Sequence, residues 1–80
     1  MEPWLSLTVL AGKSRFLISI PKKVVRQAHR RNRIKRVLRE ALRQEPPLTA
    51  QTHVFKVFRS PKSMDLYIAR QAVHELLHQD

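Results

Sequence analysis

The chain is predicted to fold as α+β, a small sheet of about three strands with two helices. Two observations carry this. Three short segments read as strands, the first by apolar–polar alternation with a period of two and the others by β-branched and aromatic content, and two longer segments repeat their apolar residues with a period near 3.6. The first helical segment lies between the second and third strand segments, so it forms the crossover of a strand-helix-strand unit rather than a separate layer of its own. Eighty residues make one domain, 1–80, and a domain of this size buries only about 60% of the surface its unfolded chain exposes.

The first strand is expected over Leu5–Leu10, where Leu5, Leu7 and Val9 alternate with Ser6 and Thr8. Ala11-Gly12-Lys13-Ser14 holds the only glycine of the chain where a turn is wanted, and an antiparallel hairpin with the next strand is the expected outcome. Arg15–Ile20 is rich in β-branched and aromatic residues, with Phe16, Ile18 and Ile20 on one face and Leu17 and Ser19 on the other. Pro21 ends it. Val24–Arg30 is read as an irregular approach to a helix regular over Arg31–Arg43, because Arg30 continued in ideal geometry points into the apolar arc.

That helix is the most informative part of the chain. At 100° per residue Ile34, Val37, Leu38, Ala41 and Leu42 share one arc, while Asn32, Lys35, Arg36, Arg39 and Arg43 gather on the opposite side. Between Arg31 and Arg43 arginine outnumbers lysine five to one. Its planar guanidinium binds phosphate oxygens or a base edge bidentately and stacks on bases, so the pattern points to nucleic acid. Glu45-Pro46-Pro47 stops the helix, since proline lacks the amide and displaces its predecessor from helical conformation. Leu48–Thr52 is read as linker and His53–Phe58 as the third strand. Ser60-Pro61-Lys62-Ser63 is a turn with a helix cap at Ser63, and Leu66, Ala69, Val73, Leu76 and Leu77 form the apolar arc of a helix over Met64–His78.

Sixteen Lys and Arg against six Asp and Glu give a net charge of +10 and a pI near 11.5. Such a charge costs stability through self-repulsion, and a polyanionic partner relieves it. The absence of cysteine excludes disulfides and thiolate metal sites. No segment approaches the roughly twenty apolar residues of a membrane span and no secretory signal is evident, so a cytoplasmic protein without a membrane partner is expected.

One motif points elsewhere. His74-Glu75-Leu76-Leu77-His78 matches the H-E-x-x-H pattern of zinc hydrolases, in which two imidazoles one helical turn apart bind the metal. A catalytic zinc needs a third protein ligand. His53 and Asp65 are of the right chemical type, but the sequence places neither, so no metal ligands and no catalytic residues are assigned and the histidines are read as a solvated helix edge. A zinc hydrolase is the most distant of the functional readings.

Arg31-Asn32-Arg33, Lys35-Arg36 and Arg39-Glu40-Ala41 stand in the order and spacing that resemble the bacterial ribonuclease P protein subunit. Arg15–Lys23 resembles the strand and Lys-Lys turn ahead of that family's basic helix, and His53–Arg59 the strand after it. The resemblance runs from about Leu5 to the end. Two features depart from the pattern: the family's usual N-terminal helix and first strand have no counterpart ahead of Trp4, so the chain reads as a short form, and Val24–Arg30 lacks the family's glycine and is one residue longer. Trp4 is read as a plug for the space that helix would fill. The resemblance implies a subunit that binds the catalytic RNA and assists removal of the 5′ leader from precursor tRNA. It implies no cofactor held by the protein alone, with Mg2+ and the chemistry supplied through the RNA.

The expected RNA-binding residues are Lys22, Lys23, Arg26, Arg30, Arg31, Asn32, Arg33, Lys35, Arg36, Arg39 and Arg43, with capping or bending of the helix start as the alternative for Asn32. Core packing is expected for at least two of Phe16, Phe55 and Phe58. Lys56 and Phe58 form a candidate platform for single-stranded bases, joined by Ser6, Thr8, Leu17 and Ser19 if the strand register places them on the same face. The alternative to a ribonuclease P subunit is a stand-alone or ribosome-associated RNA-binding module without cleavage activity.

Overall fold

The computed structural model describes residues 3–45 and 51–78 and has the order β1 (Leu5–Ala11), β2 (Arg15–Ser19), α1 (Ala28–Arg43), β3 (Gln51–Val57) and α2 (Leu66–Leu77). The expected α+β class and element order stand. The proline pair and positions 48–50 lie outside the described residues.

The expected hairpin does not form. Sheet order is β1-β3-β2, so β3 lies between the two earlier strands, antiparallel to β1 and parallel to β2. The connection 12–14 therefore spans two inter-strand spacings, about 10 Å, where a tight hairpin turn bridges one. Three residues between strand ends suffice for that reach. Gly12 adopts φ 148°, a conformation side chains rarely accept, and passes close over Thr52. The Thr52 hydroxyl donates to the Lys13 carbonyl at 3.1 Å, which fixes the crossing against the start of β3 and buries Thr52. Local alternation says which residues of a strand face the core, but it says nothing about which strand lies alongside.

The register places Leu5, Leu7 and Val9 of β1, His53, Phe55 and Val57 of β3, and Phe16 and Ile18 of β2 on one face. Both helices pack there. Phe55 and Val57 are fully buried against Ile34, Leu38, Ala41 and Leu42 of α1 and Ala69 and Val73 of α2. Trp4 joins this core at its edge, its carbonyl accepting the Phe58 amide at 3.0 Å, so it fills space inside the domain. Phe55 is the aromatic that packs fully; Phe16 remains 37% exposed where the helices no longer cover the sheet.

Boundaries shift for identifiable reasons. α1 begins at Ala28 rather than Arg31, because the turn after Pro21, closed by the Val24 and Val25 amides on its carbonyl, lets the helix start early. Arg30 does turn inward, as ideal geometry requires, and is accommodated by hydrogen bonding. α2 starts at Leu66, capped by Asp65 rather than Ser63, with the Asp65 carboxylate accepting the Ile68 amide at 2.9 Å. β3 begins at Gln51, inside the stretch read as linker, and ends at Val57, one residue before Phe58. Leu66, assigned to the apolar arc, is 37% exposed because it sits in the first turn, beyond the packed interface.

Candidate nucleic-acid interface

The arginines of α1 divide into two sets. Arg30, Arg31 and Arg33 hold backbone. Arg30 donates to the Pro61 carbonyl and Arg33 donates to the Met64 carbonyl at 3.3 Å, tying α1 to the loop that enters α2. Arg31 donates to the Val25 and Arg26 carbonyls, both at 2.9 Å, and fastens the approach segment to the helix. Gln27 at the N-cap makes no side-chain cap hydrogen bond, so these bonds give the helix start much of its local order. Asn32 is exposed and makes no cap, which removes the capping alternative for it.

Arg36 and Arg39 form the second set. Both are exposed and neither makes a hydrogen bond or ion pair with a described residue. Arg43 pairs with Glu40 at 3.2 Å, but both side chains are well exposed and such a pair contributes only tenths of a kcal/mol. Asn32, Arg36, Arg39 and Arg43 lie on the solvent side of the helix, opposite Ile34 and Leu38. Lys35 is half-buried at the edge of this face. Lys22, Lys23 and Arg26 are exposed in the segment leading to α1, so cations continue beyond the helix start.

The sheet has a second exposed surface, on the side that no described helix covers. Ser6 lies opposite Lys56 and Thr8 opposite Val54 across the β1–β3 ladder, while Leu17 pairs with Val54 and Ser19 with Lys56 across β3–β2. The register thus places Ser6, Thr8, Leu17, Ser19 and Lys56 on one face, and alternation adds Phe58 just past the strand. Leu17 is 44% and Phe58 41% exposed. Leu10 and Arg15, both opposite Thr52, complete this face. Neither was singled out in the sequence, although alternation puts Leu10 with Ser6 and Thr8 on β1 and Arg15 with Leu17 and Ser19 on β2.

A basic helix face and a bare sheet face carrying aromatic, aliphatic and cationic side chains therefore occupy opposite sides of a two-layer domain. A family model described as Ribonuclease P matches residues 4–79, nearly the whole chain. The chain belongs to the ribonuclease P family. No match is found among curated proteins or among solved structures. As a ribonuclease P protein it is a component of a tRNA-processing endoribonuclease and has an RNA partner in a ribonucleoprotein. None of the described helices of this ribonuclease P protein is long and apolar enough to cross a membrane.

Of the two sequence candidates for a third metal ligand, Asp65 is used as the cap of α2. His53 is buried on the helix side of the sheet, with its Nδ1 lacking a partner among the described residues. The histidines of the H-E-x-x-H segment instead meet a residue that sequence reasoning passed over. Glu45, two positions beyond the end of α1, places a carboxylate oxygen 3.3 Å from His74 Nδ1 and the other 3.6 Å from His78 Nε2. No spacing rule connects Glu45 to His74, since they meet only because α1 and α2 pack together.

Proposed function

We propose that the exposed face of α1, with Asn32, Arg36, Arg39 and Arg43 at its centre and Lys22, Lys23, Arg26 and Lys35 around it, binds the catalytic RNA of ribonuclease P, and that the bare sheet face binds the single-stranded 5′ leader of precursor tRNA. The observation that carries this reading is that Arg36 and Arg39 are exposed with no partner among the described residues, on a helix where Arg30, Arg31 and Arg33 are tied to backbone carbonyls. Each unpaired guanidinium that meets a phosphate releases condensed counterions, which gives affinity and salt dependence together. Arg30, Arg31 and Arg33 support the surface chiefly by holding its frame. Their remaining N–H groups stay available to phosphate, because a guanidinium carries five donors.

On the other side, Lys56 and Arg15 supply charge while Phe58, Leu17 and Leu10 supply contact area for unstacked bases. The protein provides no nucleophile in this reading. It screens phosphate repulsion, lowers the Mg2+ that the RNA requires and tightens substrate binding in the cytoplasm.

The test is reconstitution with a bacterial ribonuclease P RNA and precursor tRNA at low Mg2+, following release of the 5′ leader. Stimulation by the protein that is lost with Arg36→Ala/Arg39→Ala supports the cofactor role. Tight, salt-sensitive RNA binding without stimulation would instead favour a stand-alone or ribosome-associated RNA-binding module.

A further inference from the structure

We propose that Glu45, His74 and His78 form a binding site for a divalent transition metal of the zinc type, which clasps the C-terminal end of α2 to the residue just past α1. The site is independent of the RNA reading.

The geometry comes from three places. His74 in the last turn of α2 and His78 at its C-cap lie one turn apart, with ring centroids 4.2 Å apart, and both turn toward the same carboxylate. One ligand atom from each of the three residues can be chosen so that all lie within 4.8 Å of one another. A zinc ion with bonds of about 2.0–2.1 Å sets tetrahedral ligand atoms about 3.3 Å apart. The His74–Glu45 and His78–Glu45 separations of 3.3 and 3.6 Å, one to each carboxylate oxygen, are near that spacing.

The surroundings suit a cation. The Glu45 side chain is only 11% exposed, so its charge is largely withdrawn from water and is best compensated at short range. A hydrogen bond from one imidazole would meet part of that need; convergence of two is the arrangement a metal uses. Glu45 and His78 sit at the ends of α1 and α2, where the partial negative charge of the last carbonyls favours cations. An open pocket lined by Glu45, Tyr67, Arg70, Gln71, His74 and Glu75 adjoins the cluster and gives a fourth ligand, water or a small anion, a way in. Two imidazoles and one carboxylate select zinc, nickel, cobalt or copper over Mg2+, which prefers an all-oxygen shell.

The experiment is thermal unfolding of the metal-free full chain in Zn2+, in Mg2+, and in Zn2+ followed by a chelator, with calorimetric titration of Zn2+ for stoichiometry. Zinc in about hundredfold excess over its dissociation constant is expected to raise Tm by about 10–20 °C, reversibly, while Mg2+ does not. His74→Ala/His78→Ala, whose side chains are 64% and 51% exposed, is expected to lose the rise relative to its own metal-free Tm. Glu45→Gln is expected to weaken zinc binding at least about tenfold. No binding at one equivalent by the unmodified chain would overturn the proposal. So would an equal Tm rise in the double histidine variant, which would assign the metal to other residues.

Discussion

The two ends of α1 use the same residue type for opposite purposes. Toward its start, Arg30, Arg31 and Arg33 turn their guanidinium groups onto the carbonyls of Pro61, Val25, Arg26 and Met64. Further on, Arg36 and Arg39 extend into solvent with no partner among the described residues. A count of arginines treats all six of α1 as one basic face. The structure separates residues that hold the fold from residues left for a partner, so the same substitution should report stability at one end and RNA affinity at the other.

The largest expected effect is at the solvent end. Arg36→Ala/Arg39→Ala should weaken binding to the catalytic RNA by about 2–4 kcal/mol and lower the slope of log affinity against log salt by just under two units, with little change in urea unfolding. An unchanged slope would remove both residues from the phosphate contacts and end the distinction.

Next comes Arg31→Ala, which leaves two carbonyls without their charged donor and should cost about 1.5–3 kcal/mol of stability. Urea denaturation checks this. Unaltered stability beside a large loss of RNA affinity would place Arg31 with the contact set. Phe58→Ala extends the comparison to the other side of the domain: affinity for single-stranded leader RNA should fall by about 1–3 kcal/mol, with affinity for the catalytic RNA retained. Equal losses for both RNAs would mean that the two faces do not act separately. The smallest effect is expected from Asp65→Ala, about 1 kcal/mol of stability through loss of the α2 cap, with RNA binding at saturating folded protein unaltered.

Much of the fold was legible because it is local. The apolar arc Ile34, Leu38, Ala41 and Leu42 is buried as the helical period requires, and Phe55 and Val57 share the inward face of β3 as alternation requires. The cap of α2 was misread because Ser63 and Asp65 are both good capping residues and only the path of the chain selects between them. The open sheet face was legible in part: Lys56 and Phe58 follow from alternation along one strand, whereas joining them to Ser6, Thr8 and Leu10 of β1 and to Arg15, Leu17 and Ser19 of β2 needed the register.

By itself, the sequence determined the element order, the inward face of each element, the large positive charge and the basic-helix motif, because each depends on residues within a few turns or steps of one another. Only the tertiary structure decided three things. β3 inserts between β1 and β2, three arginines of α1 are tied to carbonyls, and Glu45 meets His74 and His78. Each is a contact between segments distant in the chain, and no local period or propensity encodes which distant segments lie side by side.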